Sequence, residues 1–381
     1  MKIVVAADKF KGSLSAPEVA RAIAAGLRGA DPAIAIDECP MADGGEGTVA
    51  ALVAATNGRI LTRRVTGPLP EMKVDATFGI LGDGKTAVVE MAAASGLALL
   101  EAEDRNPLNT TTFGTGELLV AAAEQGVRQI ILGIGGSATV DGGIGCAQAC
   151  GLPVILEGGG PVCATEPLCG RDLDSVILIK HGRGSPVERV KITVASDVSN
   201  PLYGPDGAAA VFGPQKGATA QQVRWLDDAL RGLALRTGKL DQAARPGAGA
   251  AGGLGFGMLA FLGARLQSGA QIMIEATRLR ERLAGADLCI TGEGCLDAQS
   301  LSGKAPVAVA RLCKELGVPC VATVGSASPD AAAGRAAGLV EWLTLSPPAT
   351  IEESMRRTVE LLEVRAAELL QRWKRREIER P

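Results

Sequence analysis

The sequence predicts an α/β fold with two α/β domains. One is flavodoxin-like or Rossmann-like with a parallel sheet, the other is a mixed α/β insertion, and the active site is expected in the cleft. A chain of 381 residues is longer than a usual single domain of roughly 100 to 200 residues, so two domains are expected. Buried-strand and amphipathic-helix patterns alternate near both termini, and strand patterns separated by turns lie between them.

Five strand patterns predict the parallel sheet of the first domain. Each is a short run rich in Val, Ile, Leu or Ala beside a helix pattern. Five is the number of strands that a flavodoxin-like open sheet requires. We therefore predict a discontinuous flavodoxin-like domain of residues 1–60 and 280–381, with an inserted mixed α/β domain of residues 61–279. The predicted strands are residues 2–7, 34–39, 288–291, 318–324 and 340–345.

Four helices complete this first domain, one of which is predicted from about residue 305, between the third and fourth strands. Ser15 and Glu18 have the spacing of a capping box and predict a helix to about residue 28. A second helix is predicted over residues 48–56, after a glycine-rich run. The last helix has apolar residues at three- and four-residue spacing, which predicts a docked face. These residues are Ile351, Met355, Val359, Leu362, Ala366, Leu369 and Trp373.

The inserted domain is predicted to have a mixed sheet. Alternating β segments occupy residues 59–90, and Asp83-Gly84 predicts a hairpin turn between two of them. Further strands are predicted over residues 129–134 and 191–195. The glycine-rich segment of residues 246–257 is interpreted as a linker.

Composition excludes several classes of protein. There are 39 basic and 42 acidic residues, so the net charge of −3 does not indicate binding to nucleic acid or to an anionic membrane surface. No apolar run approaches the ~20 residues of a membrane span or forms a signal-peptide core, so a cytoplasmic location is expected. The 9 cysteines contain no C-x-x-C pair and are interpreted as reduced thiols. A single histidine, His181, excludes catalytic triads and multi-histidine zinc sites.

Candidate site residues follow the predicted strands. In open α/β sheets, ligands bind outside the carboxyl ends of the strands. Carboxylates, lysines, hydroxyls and glycines are concentrated there, and this mixture suits a polyphosphate with its metal ion. The residues are Asp8, Lys9, Lys11, Asp43, Gly44, Gly45, Gly135, Gly136, Ser137, Thr139, Asp141, Asp197, Asn200, Glu293 and Asp297.

Each of these features has a structural alternative. Asp43 and Glu46 have the spacing of a capping box, and the run after the strand of residues 129–134 can be a tight turn. The carboxylates after the later strands can cap or form turns. Gly247-x-Gly249-x-x-Gly252 fits the dinucleotide-binding pattern, but no strand is predicted before it. Lys304 follows a glycine as in a P-loop, yet Ala305 replaces the required Ser or Thr.

In seven blocks, which occur in the same order along residues 1–345, the chain resembles the type I glycerate kinases of bacteria. The blocks are residues 7–14, 40–48, 135–143, 196–202, 211–218 and 247–253, and Thr291-Gly292-Glu293-Gly294. Long blocks in the right order are far more specific than any single loop motif. One position departs from the family pattern, because Cys295 stands where the family usually has arginine.

The resemblance implies ATP-dependent phosphorylation of D-glycerate, mainly at the 2-hydroxyl, with ATP and Mg²⁺ as cofactors and a monomer or homodimer as the assembly. This chemistry fits a chain with one histidine, because phosphoryl transfer needs positioning and charge neutralisation more than an imidazole. Two alternatives stay open. One is an NAD-dependent hydroxy-acid oxidoreductase, and the other is a non-catalytic metabolite sensor on the same fold.

The resemblance also suggests roles for the candidate residues. Asp197 is the first choice for the base or a Mg²⁺ ligand, and Glu293 is the second metal candidate. Asp8 and Asp297 are further carboxylates, while Lys9 and Lys11 would neutralise anionic oxygens. Two glycine loops would cradle nucleotide or substrate through backbone N–H groups, and Lys304 would assist them; the sequence does not divide these loops between ATP and glycerate. The loops are residues 135–143 and residues 247–253, the second with Gly249, Gly252 and Gly253.

Overall fold

The computed structural model describes residues 1–158, 166–180, 184–297, 304–345 and 350–378. His181 lies outside these residues, so the structure does not address its role. The chain forms two compact units. Unit 1 comprises Met1–Asp43, Ala50–Asn57 and Ser268–Pro381, and unit 2 comprises Gly44–Val49 and Gly58–Gln267.

Strands and helices alternate along much of the chain. The strands are β1 Lys2–Ala7, β2 Ala35–Glu38, β3 Arg59–Thr66, β4 Lys73–Ile80, β5 Thr86–Glu90, β6 Gln129–Gly133, β7 Val154–Leu156, β8 Val176–Ile179, β9 Lys191–Ala195, β10 Arg265–Gln267, β11 Leu288–Leu296, β12 Cys320–Ala327 and β13 Leu339–Thr344. The α-helices are α1 Ala16–Ala30, α2 Thr48–Thr56, α3 Ala92–Ser95, α4 Phe113–Ala123, α5 Ile144–Ala149, α6 Ala208–Phe212, α7 Ala220–Arg236, α8 Leu240–Ala243, α9 Ala250–Phe261, α10 Gly269–Ala276, α11 Leu279–Leu283, α12 Ala305–Leu316, α13 Gly334–Ala337, α14 Ile351–Arg356 and α15 Thr358–Ile378.

Unit 1 contains a parallel sheet of five strands in the order β13-β12-β11-β1-β2. Counted along the chain within this unit, that order is the flavodoxin-like 2-1-3-4-5, which confirms the predicted fold class. The order reverses between β1 and β11, where Ala7 pairs with Gly292. This switch point is where open α/β sheets bind ligands, so the residues after Ala7 and Gly292 are placed for function.

Helices α1 and α15 cover one face of the unit 1 sheet. A Cβ atom on Gly26 of α1 would lie 2.1 Å from the carbonyl oxygen of Glu363, so the absence of a side chain lets the two backbones meet. The predicted docked face is correct over residues 362–369, where Leu362, Ala366 and Leu369 are buried. It is wrong at Met355 and Val359, which are 39% and 46% exposed. The chain breaks into two helices at residue 357, so Met355 belongs to α14 and not to α15, whereas Val359 lies in the exposed first turn of α15.

Unit 2 contains a mixed sheet of six strands in the order β10-β9-β6-β5-β4-β3. Strand β4 is antiparallel to both neighbours, and the other pairs are parallel. The predicted hairpin is confirmed, because Phe78 pairs with Val89 across the turn. In this turn the Asp83 carboxylate accepts hydrogen bonds from the backbone N–H groups of Lys85 and Thr86 at 2.8 and 2.9 Å. Strands β7 and β8 form a separate antiparallel pair.

The interpretation of residues 246–257 as a linker is wrong. This segment belongs to unit 2 and leads into α9, whose Phe256 is fully buried. Its glycines allow close backbone packing within a core, and composition alone does not distinguish that use from flexibility. The short strand β10 follows α9 and pairs with β9, so unit 2 extends to Gln267 and unit 1 resumes at Ser268, whereas the sequence placed this boundary at residue 280.

The cysteines match the expectation of reduced thiols. Eight of them lie within the described residues, all as thiols, and only Cys295 among these eight is exposed. In the part of the chain that the structure describes, no helix combines the length and apolar character needed to cross a membrane.

Candidate active site

A carboxylate and lysine cluster lies at the end of β1 in unit 1. The backbone N–H of Asp8 donates to the carbonyl of Gly292 at 2.9 Å and holds Asp8 against β11. The Asp8 side chain is 6% exposed and accepts a hydrogen bond from the backbone N–H of Lys9 at 2.6 Å. The Lys9 ammonium reaches Asp43 at 3.4 Å. The structure therefore brings together three of the predicted site residues at the switch point.

Burial raises the pKa of Asp8 from 3.8 to about 6. Lys9 opposes this rise by favouring the carboxylate, Asp43 adds to it through like-charge repulsion, and Lys304 opposes it from the start of α12. A carboxyl group whose pKa lies near the working pH can both accept and return a proton. Burial therefore moves the titration of Asp8 towards neutral pH.

Glu293 lies at the same edge of the unit 1 sheet. Strand β11 continues five residues beyond the predicted end and includes Glu293, which is buried, and Cys295, which is exposed. A Cβ atom on Gly294 would be 3.5 Å from the backbone nitrogen of Lys11, so this part of β11 runs beside the loop that follows β1. Lys11 is exposed, and Asp297 is half-buried just beyond β11. Glu293 and the Lys11 backbone therefore lie near the switch point, whereas Asp297 lies beyond the end of β11.

Asp43 does not cap a helix. Helix α2 begins at Thr48, whose hydroxyl donates to the carbonyl of Gly45 at 2.6 Å. The backbone N–H of Val49, in the first turn of this helix, donates to the Glu90 carboxylate at 2.6 Å. Because α2 begins five residues after Asp43, the capping-box alternative for Asp43 and Glu46 is wrong, and the Asp43 carboxylate pairs with the Lys9 ammonium.

The glycines near the ends of β6 and β9 in unit 2 permit close contact between backbones. A Cβ atom on Gly44 would lie 2.6 Å from the Cβ of Ala195, and one on Gly133 would lie 2.5 Å from the carbonyl oxygen of Gly44. A Cβ on Gly135 would be 2.8 Å from the Cα of Gly45. Three predicted ligand-binding glycines, Gly44, Gly45 and Gly135, thus have a packing role that needs no ligand. Gly136 differs, because it is exposed with φ +73°.

Asp141 holds the glycine loop of residues 135–143 in place. Its carboxylate is fully buried and accepts hydrogen bonds from the N–H and hydroxyl of Thr112 at 2.8 and 2.7 Å. It also accepts one from the N–H of Gly143 at 3.1 Å. Burial raises the pKa of Asp141, and these donors oppose the rise. Because both oxygens are engaged inside unit 2, we interpret Asp141 as a positioning residue for the loop.

Lys216 lies beneath the same loop and is the functional candidate that sequence reasoning missed. Its side chain is 1% exposed, and its ammonium donates to the Ser137 hydroxyl and the Thr139 carbonyl, each at 2.7 Å. Burial lowers the pKa of Lys216 from 10.5 to about 7, and the charge of Asp141 opposes this fall. Lysines are rarely buried, so the sequence gives no reason to expect this environment. The only signal in the sequence is that Lys216 lies in the block of residues 211–218.

The two predicted glycine loops contact each other directly. The N–H of Gly142 donates to the carbonyl of Gly252 at 3.1 Å, and a Cβ on Gly252 would be 1.8 Å from the carbonyl oxygen of Thr139. Gly253 approaches Gly142 in the same way. The loops therefore form a single substructure, in which the buried Thr139 hydroxyl has no hydrogen-bond partner among the described residues.

The remaining predicted residues of unit 2 lie near the end of β9. The backbone carbonyl of Asn200 accepts a hydrogen bond from the N–H of Gly249 at 2.9 Å, and its side-chain amide donates to the carbonyl of Asp206 at 2.8 Å. Asn200 thus links this segment to the second glycine loop. Asp197 is exposed just after β9.

The donor atoms at the unit 1 switch point suit Mg²⁺. Asp8, Asp43 and Glu293 offer only carboxylate oxygens, and a cation would relieve the repulsion between Asp8 and Asp43. Among the residues described, no three carboxylates come close enough to hold a metal by themselves. This arrangement fits an ion that binds one or two carboxylates and takes its other ligands from phosphate and water.

Comparisons with known proteins agree over almost the whole chain. Residues 3–374 match the glycerate kinase family. The chain is 46% identical over 373 residues to a glycerate kinase of Bacillus subtilis strain 168, covering 97% of each protein. It is 45% identical over 361 residues to a glycerate 2-kinase of Escherichia coli K12, covering 93% of each. The crystal structure of a Salmonella typhimurium LT2 protein assigned as glycerate kinase 2 superposes with a TM-score of 0.88 at 42% identity, covering 99% of each chain.

Proposed function

The chain belongs to the glycerate kinase family and is a kinase, and we propose that it transfers the γ-phosphoryl group of ATP to the 2-hydroxyl of D-glycerate. The match of residues 3–374 to this family supports the proposal most strongly. The relative named glycerate 2-kinase favours the 2-hydroxyl as acceptor. The reduced thiols fit a reducing compartment such as the cytoplasm, which we include in the proposal.

In unit 1, Asp8 is proposed as the residue that accepts the proton of the attacking hydroxyl. Its pKa of about 6 makes it a better candidate than Asp197, the first choice from sequence, which is exposed after β9. The glycerate oxygen forms a bond to the γ-phosphorus, the bond from that phosphorus to the bridging oxygen of ADP breaks, and the hydroxyl proton passes to Asp8. Lys9, Lys11 and Lys304 are proposed to neutralise charge on the phosphate oxygens.

A magnesium ion would supply charge neutralisation at the transferred phosphoryl group. Glu293 and Asp43 are the unit 1 carboxylates proposed to hold it, both near the switch point of the sheet. Asp297 and, in unit 2, Asp197 stay proposed as further carboxylates that bind metal or accept a proton. The oxygen-only donor set predicts that Mn²⁺ can replace Mg²⁺ and that excess EDTA abolishes turnover.

In unit 2, the substructure of the two glycine loops is proposed to bind an anionic group. Lys216 brings a positive charge directly beneath Ser137 and Thr139 without reaching the surface itself. The exposed Gly136 and its neighbours offer backbone N–H groups to a phosphate or a carboxylate. The anion is the triphosphate of ATP or the carboxylate of glycerate, and we leave both within the proposal.

The oxidoreductase alternative gains no support from the fold. The Gly247-x-Gly249-x-x-Gly252 run follows helix α8, whereas a dinucleotide-binding loop follows a strand. Separate incubations of the protein with D-glycerate and either Mg-ATP or NAD⁺ test the proposal. We expect ADP release that depends on glycerate, and no absorbance from NADH. NADH formation would favour the oxidoreductase, and the absence of both products would favour the metabolite sensor.

A further inference from the structure

Three buried cysteines meet inside unit 1, away from the proposed catalytic residues. Cys289 lies in β11, Cys313 in α12 and Cys320 in β12, and their sulfur atoms all lie within 4.8 Å of one another. Cys289 and Cys320 are direct partners in the sheet register. All three side chains are fully buried. The proposed phosphoryl transfer makes no use of these thiols.

The surroundings of this triad disfavour an ordinary structural zinc site. Structural zinc takes four ligands, and the group that the described residues assemble here contains only these three sulfurs. A divalent ion with three thiolates would leave a net negative charge in the core. The three cysteine side chains are fully buried, and an uncompensated charge buried in the core is costly.

We propose that the triad of Cys289, Cys313 and Cys320 is a binding site for a trivalent metalloid hydroxide, with arsenite as the probe. Three As–O bonds break, three As–S bonds form, and the three thiol protons leave with the hydroxides as three waters. No electron is transferred and no oxidant is needed. The product has no net charge, so its burial avoids the desolvation cost that a charged complex would incur.

The geometry of the triad suits three bonds to one centre. Bonds of about 2.3 Å to sulfur, the length typical of zinc–thiolate bonds, place three sulfurs around one atom up to about 4 Å apart. The three sulfurs lie within 4.8 Å of one another, so binding requires them to move closer together. Hydrogen bonds from the Cys289 and Cys320 thiols lower the pKa of the Cys313 thiol, which favours Cys313 as the first sulfur to bind.

Binding would join three elements of unit 1. It would cross-link β11, α12 and β12. Strand β11 also contains Glu293, a proposed metal ligand, so the cross-link would be formed on the same strand. A ligand that binds only the folded state raises the unfolding temperature, so occupancy has a readout independent of catalysis. Because the thiols are fully buried, uptake requires local opening and should be slow compared with labelling of the exposed Cys295.

Intact-mass spectrometry of the full chain after prolonged incubation with sodium arsenite tests the site. We expect a mass gain of one arsenic minus three hydrogens, together with a higher unfolding temperature. Cys313→Ala and, separately, Cys320→Ala should lose this species. Cys150→Ala should retain it, because Cys150 is buried with Cys146 in unit 2, outside the triad.

The measured mass also distinguishes binding by three thiols from binding of arsenic by only two thiols. Binding by two sulfurs keeps one hydroxide on arsenic and gives a different mass gain. The proposal is wrong if the wild type forms no three-sulfur adduct even when refolded with arsenite, or if both triad variants take up arsenic as the wild type does. If one triad variant does not fold, the other variant decides the outcome.

Discussion

The two units of this kinase use charged side chains in opposite ways. In unit 1, Asp8, Lys9 and Asp43 lie at the end of β1 with Lys9 and Asp43 partly exposed, so their charges are open to a ligand. In unit 2, Lys216 is sealed beneath a loop and is held by a hydroxyl and a carbonyl. Lys9 and Asp43 can therefore contact a ligand directly, whereas Lys216 can act only through the loop that it supports.

Burial disfavours the charged form of both groups, so it shifts the pKa of the acid Asp8 and of the base Lys216 in opposite directions. Burial raises the pKa of Asp8 from 3.8 to about 6, so the folded state binds more protons than the unfolded state in that window. This contribution to stability is therefore lost as the pH rises through about 6. Burial lowers the pKa of Lys216 from 10.5 to about 7, so the unfolded state binds more protons there, and stability rises with pH between these values.

The largest effect is expected from Asp8→Asn. Asparagine keeps the size and the hydrogen bond from Lys9 but cannot accept the substrate proton, so kcat should fall about 10²-fold or more. Steady-state kinetics from pH 5 to about 8 should show the wild-type kcat/KM rising through a pKa near that of Asp8, and Asp8→Asn should lose this limb. Asp75→Asn removes an exposed carboxylate and should change neither quantity. Unchanged kcat in Asp8→Asn would show that another residue is the base.

A smaller loss, about 10- to 10²-fold in kcat/KM, is expected from Lys216→Met. Methionine fills the space but removes the charge and leaves Ser137 and Thr139 without their donor. The two lost hydrogen bonds should lower the unfolding temperature at neutral pH, and removal of the buried charge should offset part of this loss. The gain in stability between pH 7 and 10.5 attributed to Lys216 should disappear. Lys85→Met, at an exposed lysine, is the control; equal kinetics in both variants would contradict the role of Lys216.

Gly252→Ala tests whether the contact between the glycine loops is structural. Its Cβ would lie 1.8 Å from the carbonyl oxygen of Thr139 at φ +66°, so we expect a loss of about 2–4 kcal/mol in the free energy of unfolding. Gly126→Ala has φ +76° but meets nothing within 4 Å, so only backbone strain of about 1 kcal/mol is expected. Equal losses in denaturant titrations of the two variants would show that the loop contact is unimportant.

The smallest effect concerns Cys295, where the family usually has arginine. The thiol is exposed at the end of β11, close in sequence to Glu293, so a guanidinium there could contact a carboxylate or phosphate in a bidentate manner. We expect Cys295→Arg to lower the KM for glycerate or ATP a few-fold, and a thiol reagent to inhibit the wild type but not Cys295→Ala. If neither occurs, residue 295 does not contribute to substrate binding.

Much of the unit 1 fold was predictable because its signals are local. Each of the five strand patterns lies on a strand of the observed sheet, and the residues after β1 followed from the rule for open α/β sheets. The end of β11 was not predictable, since glycines around Glu293 resemble a loop. The hydrophobic face of α15 was predicted, but the break at residue 357 was not.

Unit 2 was less predictable because its key features depend on tertiary contacts. Lys216 is buried, and its hydrogen-bond partners Ser137 and Thr139 belong to a loop that lies far from it in the sequence. The glycines of residues 246–257 look like a flexible linker in sequence, whereas their use is contact between backbones. The three-residue strand β10 is too short to have a recognisable pattern.

The central claim, transfer from ATP to the 2-hydroxyl of D-glycerate, is tested most directly by ³¹P NMR of the product. Carbon 2 of glycerate carries one hydrogen and carbon 3 carries two. The proton-coupled phosphorus signal of the product is therefore predicted to be a doublet, with one ADP formed for each glycerate consumed. A triplet would place the phosphate on the 3-hydroxyl, and the absence of any new phosphomonoester signal would contradict the proposed activity.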